Sequence, residues 1–172
     1  EANDIALRIA QTITNAKGII STNHTYHGNT ALVSQLSDTN PSSSFSLNSF
    51  KRVFAPDSYR LKGSKNLEEY SRNFAQDIEQ KINEFKKENI GFAGIILCPF
   101  FANEGFPNLP NGWLEPAQKI IKKHGGIIIA DEVQPGFGRL GSSMWSHDII
   151  GIQPDIVTIG KPMANGHPVG AL

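Results

Sequence analysis

The sequence lacks the features that mark several large classes of protein. Of its 172 residues only Cys98 is a cysteine, so no internal disulfide can form, and we expect a reducing compartment such as the cytoplasm. Sixteen basic and sixteen acidic residues give a net charge of zero, which offers no attraction to nucleic acid or an anionic membrane. No apolar run is long enough to span a bilayer. These absences favour a protein that acts on small molecules.

Two other kinds of site have little support in the sequence. The five histidines show no H-E-x-x-H spacing and no partnership with Cys98, so we expect no metal site. Residues 136–141 match the dinucleotide pattern G-x-G-x-x-G, which would indicate a nicotinamide or flavin enzyme. Because residues 132–135 separate this pattern from the preceding apolar run and a poor helix start follows it, we do not expect a dinucleotide site.

Apolar runs and helical periodicity predict an α/β fold with a mostly parallel sheet. The four runs that read as buried strands are residues 18–22, 94–98, 126–130 and 155–160. The segments that read as amphipathic helices are the first residues of the chain, 67–85, where Asn66 and Glu69 have the spacing of a capping box, and 113–124. The segments 37–49 and 99–112 read as loops.

Side chains with useful chemistry follow three of the predicted strands. Tyr26 follows the first strand, Asp131 and Gln134 follow the third, and Lys161 follows the fourth. Ligands bind beyond the carboxyl ends of parallel strands, so these residues converge on one edge. An aromatic ring, a carboxylate and a lysine supply a stacking face, a partner for a pyridine nitrogen and an amine for a Schiff base, which a pyridoxal cofactor requires. Taken singly, each has an ordinary structural interpretation as a turn, surface or core residue.

Several motifs resemble those of the class III aminotransferase family. Residues 129–139, IADEVQPGFGR, are similar to the cofactor signature of that family, and residues 158–168, TIGKPMANGHP, are similar to its lysine segment. Residues 26–28 resemble the upstream aromatic-His-Gly step, and residues 1–3 resemble the end of the phosphate-loop motif. The matches occur in family order across almost the whole chain. They imply part of the large domain of a pyridoxal-phosphate enzyme of fold type I.

The resemblance also implies a role for each site residue. Lys161 would bind pyridoxal 5'-phosphate covalently and move protons, and Asp131 would pair with the pyridine nitrogen. Val133 and Tyr26 would pack against the two faces of the ring, and Gln134 would hydrogen-bond its phenolic oxygen. His27 is expected either near the cofactor or in a turn.

The sequence departs from the family pattern at one notable position and by omission at both ends. Cys98-Pro99 stands where many members have Glu-Pro, which removes a charge from the substrate pocket. We expect residues 1–172 to be a fragment of the large domain, with the phosphate loop before residue 1 and the C-terminal small domain absent. Such a fragment should show little or no turnover by itself.

The implied function of the parent protein is transfer of an amino group between an amine or amino acid and a 2-oxo acid. Two alternatives stay open: a phospho-lyase that eliminates phosphate from a small phosphorylated amine, and a catalytically silent domain. The family builds its active site across a dimer, so the parent is expected to be a homodimer.

Overall fold

The computed structural model describes residues 1–38 and 48–172 as an α/β fold. One five-stranded sheet lies between two layers of helices, which confirms the predicted α/β class and adds one strand to the four predicted. The elements are α1 (Ala2–Thr14), β1 (Gly18–Thr22), β2 (Phe50–Val53), α2 (Leu67–Lys87), β3 (Phe92–Leu97), α3 (Glu115–Lys123), β4 (Ile127–Asp131), α4 (Ser146–Ile150) and β5 (Ile156–Thr158).

The sheet is parallel throughout, with strand order β2-β1-β3-β4-β5. Successive strand residues alternate between the two faces, so each strand must be apolar on both sides. Ile20, Ile95 and Ile128 pack with α2 and α3, whereas Ile19, Ile96 and Ile129 pack with α1. The two cores hold the parallel strands side by side, so that their carboxyl ends lie at one edge of the sheet. The predicted site residues lie at this edge.

The longest helix, α2, begins where the capping box predicts. The Asn66 Oδ1 accepts a hydrogen bond from the Glu69 backbone N–H at 2.8 Å, and the Glu69 carboxylate accepts from the Lys65 N–H at 3.0 Å. Its apolar face, which includes Phe74, Ile78 and Phe85, is buried against the sheet and α3. Neither α2 nor any shorter helix of the described residues has the continuous apolar stretch that a bilayer crossing requires.

The structure adds an edge strand that the sequence pattern does not reveal. β2 contains Lys51 and Arg52 and is fully buried only at Val53, so it lacks a continuous apolar run. It pairs with β1 alone, and Lys51 Nζ lies 2.7 Å from the carboxylate of Glu88, the residue that follows α2. An edge strand covered by one helix can therefore be largely polar.

The predicted loops and strand ends agree with the structure within one or two residues. Residues 99–112 contain neither helix nor strand, as predicted, whereas residues 39–47 of the other predicted loop lie outside the described residues. β4 ends at Asp131 and not at Ala130, so Asp131 is the last residue of the strand and pairs in register with Thr158 of β5. The carboxylate is consequently placed by the sheet itself.

Candidate active site

A cleft of about 650 Å³ lies at the carboxyl edge of the sheet. All five residues predicted as the site line it: Tyr26, Asp131, Val133, Gln134 and Lys161. They come from three different segments of the chain, which the parallel strands bring to one edge. The structure thus brings together every residue of the predicted site, while their roles stay predictions.

Asp131 is held in place by donors from three directions. Its side chain is buried, and its Oδ2 lies 2.7 Å from His27 Nδ1 and 2.8 Å from the Asn3 amide nitrogen, which donates to it. Its Oδ1 accepts from the Val133 backbone N–H at 3.1 Å. Donors to both oxygens satisfy the buried carboxyl group and fix its orientation.

His27 is buried beside Asp131 and not in a surface turn. Its Nε2 lies 3.0 Å from the Thr25 hydroxyl, and its backbone N–H donates to the Ser37 hydroxyl at 3.1 Å. With its proton on Nδ1, the imidazole donates to Asp131 and accepts from Thr25, so a neutral ring satisfies both contacts. The aromatic-His-Gly step therefore supplies a second residue to the site besides Tyr26.

Asn3 is a part of the site that sequence reasoning did not single out. Its amide nitrogen donates to the His27 carbonyl at 2.7 Å as well as to Asp131, and its Oδ1 accepts from the Thr158 hydroxyl at 2.5 Å. One side chain thereby links α1, β4, β5 and the segment after β1. The sequence did contain one indication of this role. Asn3 shares the buried face of α1 with Ala6, Leu7 and Ala10, and a polar residue on a buried face needs a hydrogen-bond partner.

Lys161 lies just beyond β5 with its amine near Gln134. The Lys161 Nζ is 3.4 Å from Gln134 Oε1, and the lysine is exposed to the cleft. Its φ of 41° is in the left-handed region, which is unfavourable for a side chain by roughly 1–2 kcal/mol. Tyr26, 41% exposed, also faces the cleft. The amine and the ring are both accessible to a bound molecule.

The wall of the cleft that follows β3 contains a thiol, Cys98, and a carboxylate, Glu104. Burial raises the pKa of the Cys98 thiol to about 12, so Cys98 is a neutral side chain in this wall. Glu104 follows in the same loop, and its Oε1 accepts from the Thr22 hydroxyl at 2.6 Å. A second cavity of about 430 Å³ shares Glu104 with the cleft.

The segment that matches the dinucleotide pattern forms turns that do not lead directly into a helix. The next helix, α4, begins only at Ser146. No helix N-terminus therefore comes directly after the glycines of residues 136–141. The buried Glu132 fixes this connection, since its Oε1 accepts from the Ser146 hydroxyl and the His147 N–H, both at 2.8 Å. Across residues 1–38 and 48–172, His, Cys, Asp and Glu side chains form no group of three or more suited to a metal ion.

Comparison with known proteins gives a consistent family. The family model described as aminotransferase class-III matches residues 1–172. A Drosophila melanogaster protein named alanine–glyoxylate aminotransferase 2-like is 34% identical over the whole chain, which covers 36% of that protein. The chain thus spans little more than a third of this relative.

Two solved structures have the same fold over 98% of the chain. A phospholyase from Arthrobacter in complex with phosphoethanolamine superposes with a TM-score of 0.90 and 32% identity, and the chain covers 40% of it. An omega transaminase from Pseudomonas jessenii in complex with PMP gives a TM-score of 0.85 and 29% identity, with 39% covered.

Proposed function

Because the chain belongs to the class III aminotransferase family, we propose that its parent protein is a pyridoxal-phosphate-dependent aminotransferase. It would transfer an amino group between an amine or amino acid and a 2-oxo acid. The observation that carries this proposal is the meeting of the buried Asp131 and the accessible Lys161 in one cleft. The chain spans only 36% of the Drosophila melanogaster relative, so the activity, substrates and partners of the whole protein are all part of the proposal.

The donor set around Asp131 fits the cofactor. When bound, pyridoxal phosphate supplies an aldehyde that reacts with amines and a pyridinium ring that accepts electrons. Asp131 would hold the proton on the pyridine nitrogen, because it lines the cleft and the contacts from His27, Asn3 and Val133 hold its carboxyl group in place. Those contacts also fix the direction in which the carboxylate accepts.

Lys161 would attach the cofactor and then serve as the proton carrier. Its amine has only the long contact to Gln134 among the described residues, so little has to be broken before it reacts. Once released by the substrate amine, Lys161 Nζ would take a proton from the substrate carbon and return it at the cofactor. Gln134 would donate to the phenolic oxygen, while Val133 and Tyr26 would pack on the two faces of the ring.

The beginning of α1 offers a place for the phosphate group. Residues Glu1, Ala2 and Asn3 line the cleft, and no side chain caps the helix. The first backbone N–H groups of a helix and its dipole favour an anion at this end. We propose that residues of the parent outside this chain complete the phosphate site, as the family resemblance implies.

A phospho-lyase is the second candidate, and the Arthrobacter phospholyase superposition supports it. Both reactions need the same lysine and cofactor. They differ because the transaminase needs a 2-oxo acid to regenerate its resting form, whereas the lyase releases phosphate with no acceptor. Assays of the parent with and without 2-oxo acids, read out as amino-group transfer and as phosphate release, therefore separate the two.

We further propose that the parent is a homodimer located in the cytoplasm. The α1 residues Ile5 and Ile13 are 46% and 67% exposed, which suits a surface covered by a second subunit. The compartment is proposed from the single cysteine, Cys98.

The decisive experiment uses the full-length parent with pyridoxal phosphate. The visible absorption band of the lysine-bound cofactor is recorded, the protein is reduced with borohydride, and the modified peptide is located by mass spectrometry. We expect the adduct on Lys161, loss of the band in Lys161→Ala and an unchanged band in the control Lys119→Ala, an exposed lysine of α3. A band that persists in Lys161→Ala would rule out the proposed role.

A further inference from the structure

Glu104 is a carboxylate of the cleft that the proposed reaction does not use. The Glu104 Oε1 is bound by the Thr22 hydroxyl at 2.6 Å, but its Oε2 is buried and has no hydrogen-bond partner among residues 1–38 and 48–172. A carboxylate oxygen that has lost water without gaining a donor is unfavourable. Such a group gains most from a cationic donor that enters beside it.

Glu104 is placed to meet a molecule in the cleft. The residue as a whole is partly exposed and lines the cleft together with Lys161 and Asp131. It lines the same cleft as Cys98, the neutral residue that stands where the family pattern has a glutamate. Glu104 thus gives this wall of the cleft a carboxylate, six positions after Cys98.

The charges around the cleft favour a cation at this position. Among the described residues that line it, Glu1, Glu104 and Asp131 are acidic, and Lys161 is the one lysine or arginine. Asp131 already has His27 and Asn3 as partners, and Lys161 is assigned to the cofactor. A substrate phosphate or carboxylate near Glu104 would meet repulsion, whereas an ammonium group would form an ion pair.

The strand order separates Glu104 from the reacting amine. Thr22 ends β1 and Lys161 follows β5, and β3 and β4 lie between these strands. A substrate that reacts at Lys161 therefore needs an extended chain to bring a second group to Glu104.

From this geometry we infer that Glu104 is a specificity-determining residue that binds a second, cationic group of the substrate. The preferred donor is then a diamine or another amine with a distal positive charge, and not a phosphorylated amine. This inference rests on the proposed function, because it assumes that the substrate amine reacts at Lys161.

The test compares three amines on the full-length parent loaded with pyridoxal phosphate. The probes are 1,5-diaminopentane, pentylamine and 5-aminopentanoate, which share a five-carbon chain and differ in the distal charge. The dissociation constant of each is taken from the change that it causes in the visible cofactor band. This measurement reports binding whether the enzyme is a transaminase or a lyase.

We expect wild type to bind the diamine at least tenfold more tightly than pentylamine, and 5-aminopentanoate most weakly. Glu104→Gln should reduce the diamine preference at least tenfold and improve binding of 5-aminopentanoate. The control Glu115→Gln, which changes an exposed glutamate of α3, should leave the ratios unchanged. Glutamine keeps the shape and the acceptor for Thr22, so the change in ratio isolates the charge.

Three results would overturn the inference, and they are distinguishable from failure of the proposed function. If wild type shows no preference for the diamine, the inference is wrong, and this result does not depend on the stability of the variant. An unchanged ratio in Glu104→Gln, with a lowered thermal midpoint, would instead assign Glu104 to an ion pair with the rest of the parent. Absence of the cofactor band in wild type would remove the proposed function and this inference together.

Discussion

The Asn3→Asp substitution tests the hydrogen-bond network around Asp131 most directly. Asparagine and aspartate have nearly the same shape, so the change replaces one donor by an acceptor with little effect on packing. In the structure the Asn3 amide nitrogen faces two acceptors, the Asp131 Oδ2 at 2.8 Å and the His27 carbonyl at 2.7 Å. In the variant, a carboxylate oxygen would face both of them.

The magnitude of the effect follows from the separation of the two charges. Two like charges 2.8 Å apart repel by about 6 kcal/mol at an effective dielectric constant of about 20. Relaxation and proton uptake reduce this value, so we expect a loss of roughly 3–6 kcal/mol in the free energy of unfolding at pH 8. With a urea m-value of about 3 kcal/mol/M, the unfolding midpoint should fall by about 1–2 M.

The loss should depend on pH in one direction. A proton shared by the two carboxyl groups removes the repulsion and restores a donor to Asp131, so the folded variant binds protons more tightly than its unfolded chain does. A group that is easier to protonate in the folded state contributes stability at low pH, and this contribution disappears as the pH rises. The deficit should therefore be small at pH 5 and large at pH 8.

The assay is urea unfolding of the full-length parent at both pH values, followed by far-UV circular dichroism. Asn83→Asp makes the same charge change at an exposed position of α2, where water screens the neighbouring carboxylates, and serves as the control. A deficit in Asn3→Asp that equals that of Asn83→Asp, or that is the same at pH 5 and pH 8, would refute the proposed geometry of the network.

Two further predictions concern other buried groups. Burial raises the pKa of Cys98 from 9.0 to about 12, so iodoacetamide at pH 8 should label this thiol in the unfolded parent but not in the native one. As the pH rises, the thiol ionises in the unfolded chain before it does so in the folded one. The free energy of unfolding should therefore fall above about pH 9. Rapid native labelling, mapped by mass spectrometry, would contradict this. Glu132→Ala should lower the free energy of unfolding by roughly 3–5 kcal/mol, since it leaves the Ser146 hydroxyl and the His147 N–H without their acceptor. A urea midpoint equal to that of the exposed control Glu115→Ala would exclude this contribution.

The sequence was informative wherever burial on both faces of a strand demanded an apolar run. The runs before Asp131 and Lys161 located β4 and β5, and the parallel pairing of these strands then placed both residues at one edge. The sequence did not reveal the edge strand β2, because a strand with one sheet neighbour can carry the partly buried Lys51 and the exposed Arg52. Its pattern has no periodicity to detect.

The missing parts of the site are those that depend on contacts between distant segments. Nothing local distinguishes a histidine in a turn from His27, whose partner Asp131 is 104 positions away. Asn3 and Thr158 are 155 positions apart, and their contact exists only because α1 packs across β5. The carboxylate at Glu104 likewise could not be assigned to the cleft until β1 and β3 were found side by side.

The position of Asn3 has a consequence for how the cofactor site would work as a unit. The residue lies in the first turn of α1, at the helix end proposed to face the phosphate, and it also binds the carboxylate proposed to face the pyridine nitrogen. Because Asn3 lies in α1 and accepts from Thr158 of β5, it would hold the proposed phosphate end of the site in a fixed position relative to Asp131 and to the strand that precedes Lys161. The sheet and one helix would thus preorganise the site before a cofactor binds, which reduces the ordering that binding must supply.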